Sequence, residues 1–136
     1  MSYATYGDFS MDVANTTTMK AYRFVYVNSS GQVDLPDATT DAEVLAVVGT
    51  TTTQVTSGGD VVVRPIGGGV AQVTVAASET VTKGDDLELT GTVGCVKNGT
   101  SGWLVGTALE TATSGASELA VISAVLRNPY NVASGT

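Results

Sequence analysis

The sequence predicts an all-β protein: a small closed β-barrel made from two pseudo-repeated strand units, carrying an extended N-terminal arm. Three observations support this. Among 136 residues, 21 are Val and 21 are Thr, β-branched types that favour strands over helices. Sixteen glycines supply turns and bulges. A strand–loop–strand unit is also written twice, as "AVVGTTTTQVTSGGDVVVRP" over 46–65 and "SGWLVGTALETATSGASELAVIS" over 101–123.

Residues 1–18, "MSYATYGDFSMDVANTTT", open the chain. Tyr3, Tyr6, Phe9 and Met11 are spread through polar residues with no sustained period of 2 or 3.6. Two readings stand. The segment is a first strand on its own domain, or an arm whose side chains fill separate pockets on a neighbour. The arm reading makes these four residues the candidate contacts with a neighbouring subunit.

The body is expected over 19–128. "AYRFVYV" (21–27) is a strand with Tyr22, Phe24 and Tyr26 on one face and Arg23, Val25 and Val27 on the other. Asn28-Ser29-Ser30-Gly31 turns it into "QVDL" (32–35), completing a hairpin. "EVLAVVGT" (43–50) is continuously apolar, as expected of a strand buried on both faces. A polar loop crosses to "VVVRPI" (61–66), and Gly67-Gly68-Gly69 turns the chain into "VAQVTVAA" (70–77). The plan then recurs: strands at 86–90, 93–97, 103–108 and 119–126, with Pro129 ending the last one and 129–136 left as a polar tail.

The two units, about 19–66 and 82–125, align at two offsets. Lys20 with Lys83, Gly31 with Gly94 and Val33 with Val96 are 63 apart; Gly49 with Gly106, Ser57 with Ser114 and Gly58 with Gly115 are 57 apart. The six-residue difference falls in a loop, where indels are tolerated. Two units that each need to bury a face would close on each other as a small barrel or sandwich.

The chemistry is sparse. There is no histidine, which removes Ser-His-Asp and Cys-His catalysis and the commonest metal ligand. Cys95 is the single cysteine, unable to form an internal disulfide or a thiolate zinc site, and it reads as a small buried hydrophobe. Gly67-Gly68-Gly69 lacks the Gly-Lys-Ser/Thr ending of a phosphate loop. Asp85-Asp86 is the tightest carboxylate pair, at a strand entry where turn acids occur. Asp34, Asp37 and Asp41 lack the glycine and glutamate of a calcium loop. The sequon matches at Asn15, Asn28 and Asn98 are what a Ser/Thr-rich chain makes by chance. Trp103 is a core or subunit-interface anchor, the alternative being a sugar-binding platform. The expectation is a protein that binds, is not an enzyme, and uses no cofactor or metal.

The net charge is −7, from 13 acids against six scattered bases, which argues against nucleic acid and anionic membrane as partners. Charged residues are only 14%, against a typical ~25%. A surface so poor in charge is expected to be partly covered in an assembly, a neutral secreted-type surface being the other reading. No leader or membrane span is visible, so the chain is expected to be soluble and made in a cytoplasm.

"YGDFSMDVA", with its Gly-Asp leading into a strand, resembles the opening of tailed-phage capsid decoration (cement) proteins. The second half is closer: Gly84-Asp85 before a strand, Gly94-Cys95-Val96 in a hairpin, Val105-Gly106-Thr107-Ala108-Leu109-Glu110, Ser114-Gly115-Ala116, and the closing Leu119–Ile122 are similar to that family's recurring pattern. The Thr-rich first half departs from it. The resemblance implies a β-tulip-like or closed-barrel body and a homotrimer on the outer surface of an icosahedral phage head. It also implies the major capsid protein as partner, an arm that joins the sheet of a capsid subunit or neighbour, and a clamp on the expanded shell. A carbohydrate-binding β module on a virion surface or fibre is the alternative.

Overall fold

The computed structural model describes residues 9–14, 19–36, 45–48, 59–65, 69–90, 94–99 and 102–131. It is all-β. The first half contributes β1 (Phe9–Asp12), β2 (Phe24–Val27), β3 (Val33–Asp34), β4 (Leu45–Val48) and β5 (Asp60–Pro65). These make one antiparallel sheet in the order β1-β5-β4-β2-β3. The second half contributes β6 (Val70–Thr74), β8 (Asp86–Leu89), β9 (Val96–Asn98), β10 (Trp103–Ala108) and β12 (Val121–Asn131). They make a second sheet, β6-β12-β10-β8-β9. Numbered within its own half, each sheet has the order first, fifth, fourth, second, third. The repeat seen in the sequence is therefore a repeat of topology.

The repeat is also longer than expected, because it includes β1 and β6. Val13 bridges Val33 in parallel, and Val75 bridges Val96 in the same way. Ala14 N–H donates to Val33 C=O at 2.9 Å; Ala76 N–H donates to Val96 C=O at 2.8 Å. Val13 N–H reaches Gly59 C=O at 2.9 Å, and Val75 N–H reaches Ala120 C=O at the same distance. Each half runs from its first strand to its fifth, about 9–65 and 70–131, with the early strands offset by 62 or 63.

A single barrel closed by both units does not form among the described residues. Each half builds its own sheet, and neither closes as a continuous ladder. Within each, one isolated parallel bridge is the ladder contact between first and third strands among the described residues. A two-stranded ribbon, β7 (Thr80–Val81) with β11 (Ala112–Thr113), forms a third sheet against the second-half core, its Thr80 and Thr113 hydroxyls 2.9 Å apart. Gly67-Gly68-Gly69 stands between β5 and β6, which belong to different sheets, so it links the halves and does not make a hairpin.

Pro129 does not end the last strand, which continues to Asn131. Between Leu104↔Tyr130 and Gly106↔Leu126, β12 advances four residues while β10 advances two. Arg127, Asn128 and Pro129 occupy that bulge, where a strand tolerates a residue without an N–H. Opposite β8 the same stretch of β10 also slips, between Leu104 and Gly106. The slip breaks the period of 2 and lets neighbours Leu104 and Val105 both be buried.

Two clusters form the core. One holds Ala71, Val73, Val75, Val81, Leu87, Leu89, Val96, Val105, Ala108, Ile122, Ala124 and Leu126 of the second half, together with Phe24 of the first. The other holds Val13, Met19, Val25, Val33, Val61 and Val63, with Met11 and Leu35 partly buried against it. The clusters correspond: Val13 to Val75, Met19 to Val81, Val25 to Leu87, Val33 to Val96. Phe24 has no such counterpart in the core; its equivalent is the exposed Asp86.

Candidate functional site

The alternation read in "AYRFVYV" positions the junction between the halves. Val25 enters the first-half core, while Phe24 enters the second-half core and Tyr26 packs against it. The backbone follows the side chains. Thr74 N–H and Thr74 Oγ1 both reach Tyr22 C=O at 3.0 Å. Phe24 N–H donates to Gly94 C=O at 2.9 Å. Tyr22–Phe24 therefore lies between β6 and β9, held by backbone bonds on both sides and by a fully buried aromatic ring.

This seat constrains two residues. Gly94 has φ +71, and a Cβ there would collide with Phe24 C=O. Tyr22 has φ 58 where its counterpart is Gly84 at φ 94. A left-handed tyrosine is disfavoured by roughly 1–2 kcal/mol, and it turns its carbonyl towards Thr74. Gly31 and Gly94 are matched positions of the sequence repeat, but nothing in the sequence marks Phe24 as leaving its own unit.

Of the sequence-predicted contact residues, Tyr3 and Tyr6 lie outside the described residues. Phe9 opens β1 and pairs with Val63; Met11 pairs with Val61 and is half-buried at the rim of the first-half core. From Phe9 on, the opening segment is thus a strand of the body's own sheet. Trp103 opens β10 half-buried against the second-half core, its indole Nε1 buried with no hydrogen-bond partner among the described residues.

The described carboxylates serve turns and strand ends. Asp85 Oδ2 accepts from Thr82 N–H at 2.8 Å, as a turn acid does, and Glu110 Oε2 accepts from Ser123 N–H at 2.6 Å. Asp86 meets Arg127 at 3.5 Å with both side chains exposed, a pairing worth little. Asp37 and Asp41 lie outside the described residues. No group of three metal-binding side chains occurs among the described residues. Cys95 is buried, and that burial raises its thiol pKa despite the opposing charges of Arg23 and Lys20.

One carboxylate pair is different. Asp12 and Asp60 face each other across β1 and β5. A side-chain hydrogen bond that protonated Asp60 donates to Asp12 raises the Asp60 pKa, with the repulsion of Asp12 and slight desolvation acting in the same direction. The counterpart pair in the second half is Thr74 and Val121, which carries no charge.

The outer face of the second sheet exposes several apolar side chains. Val70 and Val125 are cross-strand partners, 47% and 40% exposed, with Val121 and Leu109 also exposed. Gln72, Ser123 and Thr107 lie among them.

No protein-family profile matches the sequence, and no curated protein matches it. Among solved structures, the fold is similar to the N base of the head fiber protein gp8.5 of bacteriophage phi29, with a TM-score of 0.59 and 21% identity over 89% of this chain and 95% of that one.

Proposed function

We propose that this chain is a non-enzymatic structural protein of a phage virion: a capsid decoration protein that binds the major capsid protein as a homotrimer on the outer surface of the head and stabilises the expanded shell. The observation that carries this reading is the likeness of fold to a head fiber base over nearly the whole of both chains. The resemblance of residues 84–122 to decoration proteins points the same way, and the role requires surfaces, not reacting groups.

The physics of such a role is simple. A protein that binds the assembled lattice and not loose subunits stabilises the lattice by mass action. A trimer gains further through effective concentration, since one engaged subunit holds the others near their sites. A net charge of −7 suits the outside of a shell, away from packaged DNA. Trp103, half-buried against the second-half core, favours the packing role over a sugar-binding platform.

The test is cosedimentation of the purified chain with matching undecorated heads. Saturable binding at a fixed number of copies per head, with a rise in the temperature at which heads rupture, is expected. Protein left wholly in the supernatant at micromolar concentration rejects the proposal.

A further inference from the structure

The two halves agree in their inward residues and differ in their outward ones. Facing inward, Met11, Val61 and Val63 stand where the second half has Val73, Ile122 and Ala124, and all six are apolar. Facing outward, the first half presents Ser10 and Asp12 on β1, and Asp60, Val62 and Arg64 on β5. The corresponding residues of β6 and β12 are Gln72 and Thr74, then Val121, Ser123 and Val125, with Val70 paired to Val125; none is charged. Val121 thus takes the place of Asp60, and Val125 that of Arg64, and both valines are exposed. The first half shows that this pair of strands forms with charges at those positions. Strand pairing therefore does not call for the valines, and an exposed apolar side chain gains nothing until something covers it.

We infer that the outer face of the second sheet, centred on Val70, Val121 and Val125 with Leu109 beside them, is the surface through which copies of this chain meet. The inference rests on the self-assembly included in the proposed function, and it names the contact surface. The four side chains belong to one patch. Val70 and Val125 are cross-strand partners, Ser123 lies between Val125 and Val121 on the same face, and Leu109 N–H donates to Ser123 C=O at 2.9 Å.

Charge selects the occupant. At a net −7, copies of this chain repel one another wherever their carboxylates meet. The outward row over β6 and β12 from Val70 to Thr74 and from Val121 to Val125 brings none. The carboxylates at its margin are engaged, Asp86 with Arg127 at 3.5 Å and Glu110 with Ser123 N–H at 2.6 Å. Two such faces laid together bring valine to valine with no like charges opposed, and sheet faces pack in this way about 10 Å apart. The Asp86–Arg127 pair stays in water at the edge, which gives the contact an apolar centre and a polar rim. A basic partner, the kind an acidic chain otherwise attracts, finds no carboxylate in this row to bind.

The test is sedimentation of the purified full chain over a concentration series, with no heads present. V121K/V125K makes the chain less acidic, so weaker association cannot come from added net charge. Wild type is expected to self-associate, and V121K/V125K to do so roughly tenfold or more weakly with an unchanged circular-dichroism spectrum. S10K, on the corresponding face of the first half, should sediment as wild type does. V121T/V125T keeps the β-branched shape and should weaken association by a smaller factor; it carries the test if the lysine variant loses the native spectrum. A wild type that stays monomeric at every concentration, or folded valine variants that associate as tightly as wild type, overturn the inference. Cosedimentation with heads separates it from the virion role. A chain that binds heads and stays monomeric loses this inference alone, and one that associates through this face and ignores heads loses the virion role alone.

Discussion

The first and second halves have one topology and two kinds of core. In the second half, the described residues show a core closed at its gap by a ring lent from the first half. In the first half no described segment takes that place, Asp12 and Gly31 are exposed, and Met11 is half-buried. What the halves share is a small set of constraints: the Val–Val parallel bridge, the left-handed glycine two residues before it in the third strand, and the alternation of inward β-branched residues. Those constraints fix strand order. They do not fix where an outward residue goes, and it is outward residues that join the halves: Phe24 in the first, against Asp86 in the second.

The sharpest way to break the comparison is F24A. The ring belongs to the first half by sequence and to the second by packing. Truncating it removes core from the second half and should cost about 3–5 kcal/mol. Urea unfolding followed by Trp103 fluorescence, which reports the second half, should shift by the same amount as a circular-dichroism signal from the whole chain. If the Trp103 transition stays at the wild-type midpoint, the halves are not joined through Phe24.

G94A and G31A then compare the two glycine positions directly. Both place a Cβ on a residue with positive φ, a strain of about 1–2 kcal/mol. G94A adds a collision with the Phe24 carbonyl, a backbone atom that cannot step aside, so its total should reach about 2–4 kcal/mol. In the purified chain, G31A should cost the strain alone. Equal losses in thermal melts of the two variants would mean that the two positions are not different in kind.

S114A tests a smaller feature of the second half. The Ser114 hydroxyl donates to Val75 C=O and accepts from Ala120 N–H, both at 2.8 Å, and the side chain is buried. It ties the crossing loop to the end of β6. Alanine leaves both backbone groups without that partner, at a cost of about 1–3 kcal/mol. Hydrogen exchange should accelerate first at Ala120 N–H.

These residues also mark what the sequence could reveal. Strand positions were legible where apolar residues alternated beside turn residues, as at 24–27 and 86–89. The equivalence of Gly31 with Gly94 was legible because a left-handed turn selects glycine. The inclusion of β1 in the repeat was only faintly written, in Val13-Ala14 and Val75-Ala76, because a lone parallel bridge demands little beyond a small apolar residue. Pro129 misled because a bulge two strands away in sequence, set by the slip around Val105, gives it a place inside β12. The separate sheet of each half was not legible at all: period-2 patterns say which face is buried, not which other strands bury it. The same limit hid Phe24, whose inward face belongs to another sheet.

The smallest expected effect concerns an acidic pair of the first half. Asp12 opposite Asp60 stands where the second half has Thr74 opposite Val121. The folded pKa of Asp60 is raised above its ordinary 3.8, first by the hydrogen bond with Asp12. A raised carboxyl pKa means the fold binds that proton more tightly than the unfolded chain does. Its stabilising effect is therefore complete below the unfolded value and is lost as pH rises through the folded one, leaving two carboxylates opposed at neutrality. β1 should hold β5 more firmly in acid. Val13 N–H, bonded to Gly59, reports that grip, and Val75 N–H, bonded to Ala120, is its uncharged counterpart. After correction for intrinsic exchange, protection of Val13 relative to Val75 should fall as pH rises from below 3.8 through the raised pKa of Asp60. D60N should flatten that dependence and raise Val13 protection at neutral pH, because an amide keeps a donor for Asp12 and removes the repulsion. A ratio that does not move with pH in the wild type would show that the pair does nothing to β1.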